Sequence, residues 1–340
     1  MGMEGIKVFD ATLRDGSHAI KHQYTEENIR DYCRTMDGAG MDAIVVGHGN
    51  GLGASSLQVG LSLLSDSEML RIARENLHET KLAAYMMPGY GTIRDDLVPA
   101  VEAGVDVFKI GCHCTETNIT RQHIEYLVKA GKEVYGAMMM YHLADDKTLL
   151  EQALQLESYG ASGVILMDSA GASTPEMVRD TVSLLSGKLK CRIGFHAHNN
   201  LGLAVANTYT AIQCGATIID GTIRGFGAGA GNCQLEAIVA LLKKEGIPCN
   251  ADLYKMMDAS EAYVAHWWKQ DKGVDDISIV NGMAGVFSGF KHHVQNAAAC
   301  FGVDARDILM ELGRRKAVAG QEDMIVEVAK HLQDKKNTKQ

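Results

Sequence analysis

What most constrains this chain is an alternation. Eight short runs rich in β-branched and other apolar residues lie at 7–9, 43–46, 81–86, 107–110, 134–140, 164–167, 192–195 and 217–219. Each is followed by a stretch with helical spacing, near 25–38, 66–78, 94–103, 120–130, 147–159, 175–186, 202–214 and 231–244. Strands that alternate with helices pair in parallel, because each helix returns the chain to the same end of the sheet. Where a helix gives way to the next strand a glycine recurs, at Gly40, Gly104, Gly160 and Gly215. A helix that must stop and turn back favours a left-handed residue just past its end, which glycine adopts without a Cβ penalty. Eight such units predict an α/β fold, a (β/α)8 TIM barrel. The alternative is a doubly wound open sheet. Against it, the first strand runs into Ala11-Thr12-Leu13-Arg14-Asp15-Gly16 without G-x-G-x-x-G, and no G-x-x-x-x-G-K-[ST] occurs.

At 340 residues the chain exceeds the roughly 250 of such a barrel by about 90. Beyond residue 248 the pattern is helical only, at 252–268, 283–300, 304–314 and 321–333. The expected organisation is a catalytic barrel over 1–248 and an appended C-terminal α-helical domain over 249–340, capping the active site and offering a possible partner surface. A formal net charge of −9 would repel a polyanion, which disfavours nucleic acid as a partner. No run reaches the ~18 apolar residues of a membrane span, and Met1-Gly2-Met3-Glu4 lacks a signal pattern. The 8 cysteines form no CxxC pair. A protein of the reducing cytoplasm is the expectation.

In a barrel, polar residues just past the strand ends line the active site. After the first strand, Arg14, Asp15 and His18 fall close together; after the seventh comes His196-Ala197-His198. Residues i and i+2 of a strand share a face, so both imidazoles can point at one ion. With Asp15 they make a mixed set that suits Mn²⁺, Co²⁺ or Mg²⁺ better than a closed structural zinc. The plainer reading is a pair of loop-bonded histidines. Arg14 offers planar donors to an oxyanion, or a salt bridge to Asp10 or Asp15. His18 is a candidate general acid or base, or a loop histidine. His48, in Gly47-His48-Gly49-Asn50-Gly51, follows the second strand and is expected at the same mouth. Cys112-His113-Cys114 reads as strand-end thiols rather than a metal site. Gly225, Gly227, Gly229 and Gly231 form either a close approach to ligand or a permissive turn. Lys291-His292-His293 and Trp267-Trp268 lie on the appended helices, where packing or a partner surface is the default.

In this order the motifs resemble the 4-hydroxy-2-oxovalerate aldolases, pyruvate-forming class II aldolases among the metal-dependent, HMG-CoA lyase-like barrels. The resemblance covers nearly the whole chain. It includes Thr12-Leu13-Arg14-Asp15-Gly16, His18-Ala19-Ile20 leading to His22-Gln23-Tyr24-Thr25, and His48-Gly49-Asn50-Gly51-Leu52-Gly53. It continues through His113-Cys114-Thr115-Glu116, Asp168-Ser169-Ala170-Gly171, Gly227-Ala228-Gly229-Ala230-Gly231-Asn232 and Gly320-Gln321-Glu322-Asp323-Met324-Ile325. It implies that Asp15, His196 and His198 hold a divalent ion, usually Mn²⁺. Arg14 would stabilise a pyruvate enolate, His18 would shuttle the proton of the substrate's 4-hydroxyl, and His48, Ser169 and Phe287 are implied substrate contacts. It further implies a small 2-oxo acid substrate, an acylating aldehyde dehydrogenase docked on the helical domain, and a homo- or hetero-oligomer. Two departures stand out: Val45 where the family has glutamate, and Phe287 where it has tyrosine. A third, Asn199-Asn200-Leu201-Gly202, is closer to the H-x-H-N-[DN]-L-G of the wider group. Other readings are a Claisen-type acyl-CoA lyase or synthase on the same barrel, and a weakened aldolase-like subunit that binds a dehydrogenase.

Overall fold

Eight parallel strands close in chain order, β1 (Lys7–Asp10), β2 (Ala43–Val45), β3 (Lys81–Met86), β4 (Val107–His113), β5 (Glu133–Met139), β6 (Gly163–Asp168), β7 (Arg192–Ala197) and β8 (Ile218–Gly221), with β8 pairing back onto β1. The computed structural model describes residues 5–268 and 273–338, so Met1-Gly2-Met3-Glu4 lies outside the described residues. Each strand is followed by a helix: α1 (Glu26–Met36), α2 (Asp66–Asn76), α3 (Val98–Glu102), α4 (Arg121–Lys129), α5 (Asp146–Ser158), α6 (Pro175–Ser186), α7 (Ala204–Gln213) and α8 (Leu235–Lys244). Local chemistry sets where these begin. Thr25 and Asn28 cap α1 reciprocally, and Thr174-Pro175 opens α6 with the proline that suits a first helical turn. Helix α1 then buries Ile29, Tyr32, Cys33 and Met36 along one face.

All four glycines at the helix-to-strand turns have positive φ, 74° at Gly40, 86° at Gly104, 95° at Gly160 and 109° at Gly215. At Gly40 a Cβ would stand 2.0 Å from the Asn250 carbonyl oxygen, so space as well as φ demands glycine there.

Alternate strand residues face the barrel interior: Phe9, Val45, Tyr85, Val107, Tyr135, Ile165 and Ile218 are buried there together. Besides Lys7, Lys81 and Glu133, which pair at the N-terminal end of that face, two deeper interior positions carry charge. Lys109 of β4 and Asp220 of β8, each 1% exposed, meet across the barrel at 2.6 Å.

After the eighth unit, α9 (Leu253–Ala259) and α10 (Ala265–Trp267) are joined by a π-helical turn, Ser260–Val264. Met256, Ala259 and Val264 belong to the apolar layer between strands and barrel helices, and Trp267 meets Tyr24 edge-on at 5.4 Å. Residues 253–267, assigned with the appendage in sequence, therefore pack as part of the barrel's outer layer. The helical unit beyond comprises α11 (Asp276–Ala284), α12 (Lys291–Phe301), α13 (Ala305–Arg314) and α14 (Asp323–Thr338). The single helix expected over 283–300 is broken, because Gly285 takes φ 67° and ends α11. The break drops Val286-Phe287-Ser288 onto the barrel mouth. There Ser288 N donates to Ser169 O at 2.9 Å, Asn200 Nδ2 donates to Ser288 Oγ at 2.8 Å, and His142 Nε2 lies 3.2 Å from Gly285 O. Among the described residues no helix is long and apolar enough to cross a membrane.

Candidate active site

The barrel's C-terminal end gathers the histidine pair and the carboxylate. Asp15 heads a 3-10 turn, Asp15–Ile20, His196 lies on β7 and His198 just past its end, and all three are buried. One ligand atom from each lies within 4.8 Å of the others. His196 Nε2 is 3.7 Å and His198 Nε2 3.9 Å from Asp15 Oδ2. Two imidazoles and a carboxylate in this arrangement can hold a divalent ion and leave coordination positions open. Backbone of the glycine-rich loop fixes the set: Ala228 N donates to Asp15 Oδ1 at 3.2 Å, and His198 Nδ1 lies 3.4 Å from Ala228 O. At Gly227 a Cβ would fall 2.0 Å from Asn232 Oδ1 and 2.7 Å from Asp15 Oδ1, so the glycine lets this loop lie against the Asp15 carboxylate. Burial alone would raise the Asp15 carboxyl, but Arg14, His198 and His196 beside it hold it well below the usual carboxylate range. It is therefore the anion that a metal requires.

Arg14 fulfils the plain expectation and keeps capacity in reserve. Its Nη1 donates to Asp15 Oδ2 at 2.8 Å and to Gly49 O at 3.1 Å, and the guanidinium lies 4.6 Å from the centre of the Tyr85 ring. Nε and Nη2 are buried without a partner among the described residues. Val45, fully buried among the apolar interior residues, supplies no acceptor for them. Desolvation draws the His18 imidazole down to about 3, against the opposing pull of Asp15, so the ring is neutral at pH 7.

These groups border two connected spaces. An inner chamber of about 10 Å³ is lined by Arg14, Asp15, His198, Ser169, Tyr85 and the methionines Met87, Met139 and Met167. An outer vestibule of about 790 Å³ is lined by Lys21, His22, Trp268, Lys291, His292, His293 and Glu322. His18, Asn50, Ala228 and Phe287 line both, and so stand where the two adjoin. Lys291-His292-His293 thus faces the vestibule, with Lys291 held by Asp275 at 2.8 Å and Ser278 at 2.9 Å.

His48 faces neither space. Its Nδ1 accepts from Asn50 N at 3.0 Å, which leaves Nε2–H to donate to Gly60 O at 3.1 Å, and its ring stacks on His22 at 3.7 Å. Both nitrogens are occupied by backbone, so His48 braces His22 and the Gly49 turn rather than reaching a ligand. Cys112 and Cys114 are buried thiols outside the ligand set; burial pushes Cys114 up to about 12. Sequence reasoning passed over Tyr85 and the Lys109–Asp220 pair. A lysine inside the apolar run Val107-Phe108-Lys109-Ile110 was the available signal, since an inward charge in a strand demands a partner.

Residues 5–262 match the HMGL-like family and residues 272–334 the DmpG-like communication domain. The 4-hydroxy-2-oxovalerate aldolase of Pectobacterium atrosepticum is 50% identical over 327 residues, covering 96% of this chain and 95% of that protein. The chain belongs to the 4-hydroxy-2-oxovalerate aldolase family. The Spirochaeta aurantia 4-hydroxy-2-oxovalerate aldolase is 48% identical over 332 residues, covering 98% of this aldolase-family chain and 97% of its own length. The carboxyl transferase domain of Rhizobium etli pyruvate carboxylase shares the fold, with a TM-score of 0.83 at 16% identity over 98% of this chain and 61% of that one. In this member of the aldolase family the ring of Phe287 borders the inner chamber from the helical unit, while Ser169 borders it from the end of β6.

Proposed function

We propose that the chain is a divalent-metal-dependent aldolase, a carbon–carbon lyase that cleaves or forms the C3–C4 bond of a 4-hydroxy-2-oxo acid such as 4-hydroxy-2-oxovalerate, giving pyruvate and an aldehyde. The observation that carries this reading is the junction of two features at one end of the barrel: the Asp15, His196 and His198 donor set, and the two Arg14 nitrogens beside it that lack a partner among the described residues. The donor chemistry fits Mn²⁺, with Mg²⁺ or Co²⁺ as alternatives. Such an ion, when bound, supplies Lewis-acid polarisation of the substrate's 2-oxo group.

The remaining work falls to side chains. Arg14 Nε and Nη2 donate to the oxygen on which negative charge grows as the C3–C4 electron pair moves toward C3. Neutral His18 accepts the 4-hydroxyl proton as that bond breaks, the new C=O leaves as aldehyde, and C3 then takes a proton to give pyruvate. The reverse sequence forms the bond. Ser169 and Phe287 border the chamber, and Phe287 also lines the vestibule. The helical unit after the barrel caps this end, and the match to a communication domain supports an acylating aldehyde dehydrogenase as its partner in a hetero-oligomer. Eight unpaired cysteines support a reducing, cytoplasmic setting.

Pyruvate release from a series of 4-hydroxy-2-oxo acids, with and without Mn²⁺, tests the reading. Metal-dependent turnover is expected, and no turnover at any chain length would overturn it. His196→Ala should lose bound metal and activity together while the fold persists.

A further inference from the structure

Lys109 and Asp220 occupy the barrel interior, flanked in register by Phe9, Tyr85 and Tyr135 and, on β7, by His196. A buried ion pair is weak support for stability, because desolvation offsets the attraction and hydrophobic residues of similar volume serve as well or better. Its position relative to His196 is more informative. Asp220 and His196 are register partners on adjacent strands β8 and β7. Asp220 Oδ2 lies 3.4 Å from His196 Nδ1, which has no aligned hydrogen-bond partner among the described residues, so the carboxylate is its nearest acceptor. On the far side of the same ring, Asn232 Nδ2 lies 3.2 Å from His196 Nε2. An amide nitrogen can only donate, so Nε2 carries the lone pair and Nδ1 the proton. The two neighbours select the same tautomer from opposite edges of the imidazole.

We infer that Asp220 and Lys109 are positioning residues for His196. Asp220 sets its carboxylate against the Nδ1–H edge at 3.4 Å and leaves Nε2 as the ligand nitrogen turned toward Asp15 and His198. Lys109 reaches across from β4, with its ammonium 5.0 Å from the centre of the Phe9 ring, and holds the carboxylate at 2.6 Å. The inference rests on the metal reading above, and it assigns to a pair deep in the barrel the orientation of one ligand at the mouth.

Two double variants separate positioning from packing. Lys109→Met/Asp220→Asn and Lys109→Met/Asp220→Leu both remove the ion pair and keep the volume, but only the first retains an acceptor for Nδ1–H. Mn²⁺ dissociation constants, read from free Mn²⁺ by electron paramagnetic resonance, should differ. The asparagine double variant should stay within about threefold of the parent, and the leucine one should weaken by about 10–100-fold. Metal-free unfolding temperatures of the two should be alike. Equal Mn²⁺ affinity in both would overturn the inference and leave the pair as barrel packing.

A second measurement needs neither variant to fold. Imidazole ¹⁵N shifts of the metal-free parent, with His196 assigned by comparison with His196→Gln, should show protonated Nδ1, and protonated Nε2 would overturn the inference. Failure of the parent to bind Mn²⁺ would instead sink the metal reading, and the nitrogen shifts would then decide the tautomer alone.

Discussion

Replacing Arg14 with lysine separates charge from geometry. Lysine keeps one positive charge beside Asp15, so the ligand set should persist, but it loses the planar fork that leaves Nε and Nη2 free in the chamber. A preorganised donor aimed at a developing oxyanion contributes about 10²–10³ in kcat, or about 3–4 kcal/mol. With two such donors removed, Arg14→Lys should fall near the upper end, about 10³-fold in kcat. KM should stay within about threefold, because these donors act on charge that appears only as the bond breaks. Mn²⁺ affinity should change little. Two assays read the effect: steady-state pyruvate release, and exchange of the pyruvate methyl protons with D₂O followed by proton magnetic resonance. The second reports enolate formation with no aldehyde present, so it isolates the Arg14 contribution from His18. A loss expressed wholly in KM, or methyl exchange at the parent rate, would refute the role given to Arg14.

Three further outcomes follow from the same geometry. Gly227→Ala puts a methyl group against Asn232 Oδ1 and Asp15 Oδ1, so Mn²⁺ affinity should weaken by at least about tenfold, and a metal titration matching the parent would contradict the close approach. Burial draws His48 down from 6.5 to about 4, so the unfolded chain takes up a proton first as pH falls. Stability is then full above pH 6.5 and shed toward pH 4 by about 3 kcal/mol; guanidinium unfolding of His48→Gln should show a shallower slope in that window, and parallel slopes would count against it. Phe287→Tyr adds a hydroxyl where chamber and vestibule adjoin. It should shift the kcat/KM ratio for the two C4 enantiomers by more than about threefold and leave methyl exchange alone, whereas an unchanged ratio would make the substitution incidental.

The strand count and the barrel were legible because their signals are local and periodic. Each of Gly40, Gly104, Gly160 and Gly215 takes positive φ at a helix-to-strand turn, a signal the residue type itself carries. The His196-Ala197-His198 spacing likewise needed only the two-residue period of a strand to bring both rings to one face. What stayed hidden depends on separation in sequence. Lys109 and Asp220 are 111 residues apart and meet because β4 and β8 face each other across a closed barrel, which no spacing rule conveys. His48 was drawn toward the mouth by its strand-end location, but backbone from Asn50 and Gly60 satisfies its ring. The break at Gly285 lay within a helical pattern that continues on both sides, and the contacts that fix it come from Ser169, Asn200 and His142 on the barrel.

Those contacts limit how the two regions of the chain can be recombined. A chimera that joined this barrel to a relative's helical unit would carry the incoming 285–290 segment onto a seat shaped by Ser169, Asn200 and His142, and its aromatic residue would border a chamber it was not selected with. Inheritance of the two regions is therefore coupled through six residues of loop, so a graft at the boundary between the matched families would need to move both sides of that seat at once.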